Sequence, residues 1–134
     1  MNAEIRDLPV PEPSAASGPF WEATRNRELH MQRCSGCRAL VWYPRFACPH
    51  CGHDDLQWER LSGRGVVYAV SVHHRAPIAA LADLVPYSVV LVDLDEGVRI
   101  MSNIFGPPPQ VGEAVGVGWI PLTDGRNLPT FERG

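Results

Sequence analysis

The feature that most constrains this chain is a pair of Cys-x-x-Cys motifs separated by ten residues. The first spans Cys34–Cys37 (CSGC) and the second spans Cys48–Cys51 (CPHC). Two such turns that face each other place four thiolates around one tetrahedral ion, and backbone amides hydrogen-bond the sulfurs. Four thiolates leave no position for a water molecule. The motif therefore predicts a closed, structural Zn²⁺ site and disfavours hydrolytic zinc chemistry.

Two alternatives for the cysteines stay open. Iron in the same four-sulfur site would make a rubredoxin-like electron carrier, and tetrahedral sulfur geometry alone does not separate the two metals. Two disulfides are the other alternative. Residues 1–18 lack the apolar run of a secretory signal, which predicts a cytoplasmic, reducing compartment and free thiols. His50 and His53 flank the second motif and are predicted to be exposed bystanders.

The predicted fold class is mainly β. Twelve glycines and 13 prolines in 134 residues favour many turns and short strands over long helices. A flexible leader is predicted over 1–18 and a short N-terminal helix over 19–29, with Pro19 at its first position. A rubredoxin-like zinc ribbon is predicted over 30–61 and an OB-fold over 62–134.

Five short strands are predicted in the C-terminal part. Glu96-Gly97 and Asp124-Gly125 are typical hairpin turns. Five antiparallel strands favour a small closed barrel of the OB type. Residues 106–113 (GPPPQVGE) predict no helix between the third and fourth of these strands. The predicted strands are 64–74, 87–95, 98–105, 114–121 and 127–132.

The second of these strands is apolar on both faces. Residues 89–92 (VVLV) are consecutive, and successive strand residues point to opposite faces. One face fills the barrel. The other needs a cover, which is either the N-terminal helix or another protein.

Charge excludes some functions and leaves others open. The chain has no Lys, so lysine Schiff-base chemistry is excluded, and its net charge is -3. Residues 62–134 hold five Arg against seven acids, whereas an OB-fold that binds single strands needs a basic groove with stacking aromatics. A nucleic-acid-binding module is kept as an alternative. Residues 25–45 hold five Arg against one acid, and guanidinium groups bind phosphates well. No catalytic residues are predicted.

Several longer runs resemble one family. These are QRCSGC, CPHCG, SGRGVVYAVSVHH and PYSVVLVDLDEGVRIMSNIFG. The chain resembles, from about Phe20 to Phe131, a family of standalone zinc-ribbon/OB-fold proteins long catalogued as a domain of unknown function. The resemblance implies an N-terminal helical arm, a zinc ribbon and a C-terminal OB barrel, with Cys34, Cys37, Cys48 and Cys51 as metal ligands.

Members of this family are partners of thiolase-superfamily enzymes and lipid-transfer-protein-like aldolases that act on acyl-CoA. The resemblance therefore implies a non-catalytic accessory subunit in a hetero-oligomer, with a contribution to acyl-CoA binding or channelling in lipid, steroid side-chain or polyketide metabolism. Two sets of site residues are predicted on this basis. The CoA phosphates are assigned to Arg33, Arg38 and Arg45, and the partner interface to Phe20, Trp21, Val90 and Val92.

Overall fold

The computed structural model describes residues 8–133 and contains one α-helix and eight β-strands in two sheets. The mainly β class is confirmed. Residues 1–7 of the predicted flexible leader, and residue 134, lie outside the described residues. A six-residue 3₁₀ helix over Ala79–Leu84 was not predicted. The elements are α1 (Gly18–Thr24), β1 (His30–Cys34), β2 (Leu40–Val41), β3 (Leu56–Arg60), β4 (Arg64–His73), β5 (Tyr87–Leu94), β6 (Arg99–Ile104), β7 (Ala114–Pro121) and β8 (Asn127–Arg133).

The C-terminal strands form the predicted OB-fold. All neighbours are antiparallel in the order β6-β5-β4-β7-β8, and residues 106–113 contain no helix. The predicted closure is incomplete, because β6 and β8 lie side by side without a hydrogen-bonded ladder in the described part of the chain. Pro129 lacks an amide hydrogen, and its carbonyl accepts a bond of 3.0 Å from Ser102 Oγ across this seam.

The two predicted hairpin turns are confirmed and share one geometry. Gly97 ends the β5–β6 turn at φ 96°, and Gly125 ends the β7–β8 turn at φ 91°. Their amides donate to the carbonyls of Leu94 (2.9 Å) and Leu122 (3.3 Å) respectively. A residue with Cβ is strained at such φ values, so glycine is required at both turns.

The N-terminal helix is shorter than the predicted 19–29. It ends at Thr24 because Arg27 adopts a left-handed conformation at φ 56°. The amide of Glu28 donates to the Ala23 carbonyl (3.2 Å) and that of Arg27 to the Thr24 carbonyl (3.0 Å), the pair of bonds that stops a helix in a Schellman motif. Asn127 of β8 then anchors the helix, since its Nδ2 donates to the Thr24 carbonyl at 2.8 Å.

Helix, ribbon and barrel share one hydrophobic core. Phe20 of α1 and Met31 of β1 belong to the same buried cluster as Val90 and Val92 of β5 and Phe131 of β8. Met31 and Val92 are completely buried. The small ribbon therefore does not rely on its own apolar residues alone, because it extends the core of the barrel.

Arg126, directly before β8, links the β7–β8 turn, the N-terminal segment at Pro11 and helix α1. Only 5% of its surface is exposed. Its Nε donates to Asp124 Oδ2 at 2.6 Å, and a terminal nitrogen donates to the carbonyl of Pro11 at 2.8 Å. Its Cζ lies 5.2 Å from the centre of the Trp21 ring. Burying an unpaired charge is costly, and the carboxylate of Asp124 offsets this free-energy cost for Arg126.

We expect Asp124→Asn to lower the melting temperature more than Arg126→Met does. Asparagine can still accept the Arg126 backbone amide, which now bonds Asp124 Oδ1 at 3.1 Å, but it leaves the buried guanidinium without a counter-charge. Methionine removes the charge and keeps an apolar chain beside Trp21. Thermal unfolding of both single variants and the double variant checks this, with the double variant expected to resemble Arg126→Met. An Asp124→Asn protein as stable as wild type contradicts it.

Candidate metal centre and exposed apolar surface

The four cysteine sulfurs converge on one point. All lie within 4.8 Å of one another, and the Cys34–Cys51 and Cys37–Cys48 sulfurs are each 3.6 Å apart. A tetrahedral ion with bonds of about 2.3 Å separates its ligands by about 3.8 Å, whereas a disulfide needs about 2.05 Å. The cysteines are therefore free thiols positioned to bind a metal ion, which agrees with structural zinc.

The two motifs fold in the same way. The amides of Arg38 and Gly52 donate to the carbonyls of Cys34 and Cys48 at 2.9 and 2.8 Å, and both donors have left-handed backbones at φ 67° and 80°. The carbonyls of Ala39 and His53 in turn accept the amides of the two leading cysteines. Repetition of one local geometry explains why the two halves present matching pairs of sulfurs.

Backbone amides donate to the sulfurs of Cys34 and Cys48. The Cys37 amide donates to Cys34 Sγ at 3.5 Å, and this contact is the largest of the hydrogen bonds that together lower the pKa of Cys34 to about 6. At Cys37 the Ala39 amide lowers the pKa, but desolvation and the neighbouring thiols outweigh it and raise the pKa to about 11. His50 and His53 are exposed and are not part of the metal-binding set among residues 8–133.

The predicted phosphate-binding arginines differ in availability. Arg33 donates to both carboxylate oxygens of Glu59, at 2.9 and 2.8 Å, and to the carbonyl of Arg38 at 2.7 Å. The Arg33 guanidinium holds the pKa of Glu59 below its usual value. Arg38 and Arg45 have exposed side chains. Arg33 is thus occupied within the ribbon, whereas the guanidinium groups of Arg38 and Arg45 have no hydrogen bond or ion pair within residues 8–133.

The predicted partner-facing residues lie mostly in the interior. Phe20, Val90 and Val92 are 3%, 1% and 0% exposed, so assigning these three to a surface was wrong, whereas Trp21 is half-buried. The error has a simple origin. When both faces of a strand are apolar, alternation shows that residues 90 and 92 share a face, but it does not show which face points inward.

The outward residues of β5 form the centre of an exposed apolar face. Val89 and Leu91 are half-buried, and Leu91 pairs with Met101 of β6, which is 60% exposed. A β-bulge leaves Tyr68 unpaired in β4 and 50% exposed on the outside of the sheet, next to Val66 at 42%. The outer face is defined by Val66, Tyr68, Val89, Leu91 and Met101. Helix α1 packs chiefly against β1 and β8 and therefore does not cover the outer face. Of the two predicted covers for this face, another protein is the one that remains.

The charges beside the outer face cancel. Arg99 stacks its Cζ 3.3 Å from the centre of the Tyr68 ring, and its guanidinium donates to both oxygens of Asp93 at 2.6 and 3.2 Å. These hydrogen bonds lower the pKa of Asp93, which keeps the carboxylate charged. The face is therefore apolar and close to neutral.

No helix in the described part of the chain is long and apolar enough to cross a membrane.

Comparison with known proteins places both parts of the chain in one family. Residues 21–57 match the family model "ChsH2, rubredoxin-like zinc ribbon domain", and residues 58–119 match "ChsH2, C-terminal OB-fold domain". The solved structure "Ltp2-ChsH2(DUF35) aldolase" has a chain that is 34% identical, with a TM-score of 0.80; the alignment covers 92% of this chain and 98% of that one.

Two curated relatives are longer than this chain. A probable enoyl-CoA hydratase alpha subunit of Thermomonospora curvata is 38% identical over 116 residues, which cover 84% of this chain and 36% of the relative. A DUF35 domain-containing scaffold protein of Methanocaldococcus jannaschii is 34% identical over 79 residues, which cover 58% and 55%. The chain thus spans about a third of the length of the hydratase subunit and about half of the length of the scaffold protein. It belongs to the family of ChsH2-type, DUF35 proteins that join a rubredoxin-like zinc ribbon to a C-terminal OB-fold.

Proposed function

We propose that this protein is a non-catalytic accessory subunit of a cytoplasmic enzyme that acts on acyl-CoA thioesters. The enzyme would be of the thiolase superfamily or an aldolase, in lipid, steroid side-chain or polyketide metabolism. Support comes from the family, whose relatives carry the names of a CoA hydratase subunit, a scaffold protein and an aldolase complex. The units that act together in this role would be the leader (1–18), the segment 19–29 that contains most of α1, the ribbon (30–61) and the barrel (62–134).

The observation that carries this proposal is the apolar outer face of β4, β5 and β6. The outer side of the second and third OB strands is the surface on which many OB-folds bind their ligands. Here it displays Leu91 and Met101, with Tyr68 of the neighbouring β4 beside them, instead of a basic groove. Exposed apolar patches with aromatic and methionine side chains are typical of protein–protein interfaces. The face therefore favours a protein partner over a nucleic acid.

Nucleic-acid binding lacks the charge that it needs. Arg99 is the cation nearest to the stacked ring of Tyr68, and Asp93 neutralises it. Single-strand binding by OB-folds combines stacking with a positive groove and weakens steeply with salt. Salt-sensitive binding of an oligonucleotide by the purified protein would favour this alternative over the proposed function.

A contribution to CoA binding is a second part of the proposal. Arg38 and Arg45 are exposed and could contact phosphates, while Arg33 holds the loop that carries Arg38 through its bond to the Arg38 carbonyl. Replacing all three by Ala should lower the affinity of the assembled complex for CoA. Unchanged affinity would contradict the proposed contact with CoA, but it would not contradict the proposed scaffold role.

Disruption of the outer face tests the proposed function directly. Leu91→Arg should abolish co-purification with the enzyme subunit, since it places a charge at the centre of the face. Val111→Arg is the matched control, because Val111 is 68% exposed and lies outside the outer face. Equal zinc content and melting temperature of both variants would show intact folding. Co-purification that survives Leu91→Arg contradicts the assignment of this face.

A further inference from the structure

A second apolar feature lies where helix, ribbon and barrel meet. It is a pocket of about 410 Å³, lined by the aromatic rings of Phe20 and Trp21 from α1 and of Trp42 and Tyr43 from the ribbon. Met101 of β6 closes one side. Two of these rings are packed against each other, since the centroids of Phe20 and Trp42 are 5.2 Å apart. The four rings form the aromatic part of the wall, and its polar part consists of Glu12, Asn103 and serines 14, 17 and 102.

The open seam of the barrel creates this pocket. Residues 101–103 of β6 all line it, as do Leu128 and Pro129 of β8. Consecutive strand residues point to opposite faces, so a strand can line a cavity with three in a row only by presenting its edge. Both edges are exposed here because β6 and β8 form no ladder in the described chain. A fully closed barrel would have no such pocket at this place.

The pocket opens onto the outer face. Met101 belongs to both, and it is 60% exposed at the mouth, where Tyr43 is 58% exposed. A partner that covers the outer face therefore contacts, at Met101, a residue that also lines the pocket. Interfaces of this kind concentrate their binding energy where a side chain of one protein fills an aromatic pocket of the other.

The charge of the pocket-lining residues indicates which kind of ligand the pocket can bind. Glu12 contributes the one charged side chain among the pocket-lining residues of the described chain, and it is exposed. A negative rim disfavours phosphates and carboxylates and attracts a cation. The acidic part of an acyl-CoA is thus a poor fit, while a basic residue of a protein partner fits well.

We propose that this pocket receives an aromatic side chain of the partner enzyme subunit, and that an Arg or Lys next to it in the partner pairs with Glu12. The inference rests on the proposed function, because it names the anchor point of the same interface. The pocket is large enough for one tyrosine or tryptophan side chain, and both residue types are enriched at interface hot spots.

Two neighbouring aromatic residues give a matched test. Tyr43 lines the pocket, whereas Phe46, three residues later, is 72% exposed and does not. Tyr43→Arg should weaken co-purification with the enzyme subunit about tenfold or more, and Phe46→Arg should leave it unchanged. Glu12→Lys should also weaken binding, and the loss should be greatest at low salt.

Crosslinking identifies the occupant. With p-benzoylphenylalanine in place of Tyr43 and no other change, the complex should yield one crosslinked partner peptide that contains an aromatic residue next to Arg or Lys. A complex that forms normally with Tyr43→Arg, or a crosslinked peptide without an aromatic residue, overturns the anchor and leaves the proposed function intact. Failure of the unsubstituted protein to bind any such enzyme overturns the proposed function, and the anchor with it.

Discussion

Replacement of Cys48 by Ser should abolish stoichiometric zinc binding and unfold much of the protein. Cys48 Sγ lies 3.6 Å from Cys37 Sγ and accepts the amide of His50 at 3.3 Å, so its loss removes one ligand and one prepared hydrogen bond. Structural zinc contributes about 10 kcal/mol or more to the folding of comparable small domains. Whole proteins have only about 5–15 kcal/mol of net stability. We therefore expect loss of the cooperative thermal transition.

Metal analysis and thermal unfolding check this result. Wild type should carry about one zinc per chain and be colourless, while iron and a red colour would indicate the rubredoxin-like alternative. His53→Ser is the matched control. His53 is exposed and lies beside the centre, but it is not in the metal-binding set, so this variant should keep its zinc. A Cys48→Ser protein with full zinc content and unchanged melting temperature contradicts the structural-metal account.

Replacement of Met31 by Ala should destabilise the whole molecule by about 2–5 kcal/mol. Met31 belongs to the ribbon but is completely buried in the cluster that contains Val92 and Phe131 of the barrel. The cavity left by the lost side chain is therefore shared by both parts. Unfolding should remain a single transition that moves to lower temperature for ribbon and barrel together.

Denaturant unfolding followed by zinc release and by far-ultraviolet circular dichroism measures this effect. Met101→Ala is the matched control, because Met101 is 60% exposed and its loss should change stability by no more than about 0.5 kcal/mol. Separate transitions for zinc release and for the barrel would show that the two parts are independent, which the shared core does not allow.

Local patterns in the sequence were sufficient for the fold and for the metal centre. The Cys-x-x-Cys spacing predicts four convergent thiolates because each motif is a short turn with a fixed geometry, and glycines 97 and 125 mark turns that need left-handed backbones. Strand positions in the barrel followed from apolar segments between these turns. Such features depend on residues close in the chain, and for that reason a sequence alone reveals them.

Features that depend on distant residues were missed. The end of α1 is local but was also missed, because it is set by the left-handed backbone of Arg27, a conformation that favours Gly or Asn over Arg. The orientation of β5 depends on which face meets the barrel core, so Val89 and Leu91, not Val90 and Val92, are the outward pair. Arg33 is occupied because β1 pairs with β3, which carries Glu59. The pocket needs three separate parts of the chain, and no local pattern predicts it.

The most direct test of the accessory role is to determine the mass of the purified complex. The protein should be co-expressed with each thiolase-superfamily or aldolase enzyme encoded next to it and analysed by size-exclusion chromatography with light scattering. We expect one enzyme to elute with this protein in a fixed stoichiometry and to gain solubility or acyl-CoA activity from it. Elution as a separate species from every such enzyme, with zinc bound and the fold intact, would contradict the proposed function.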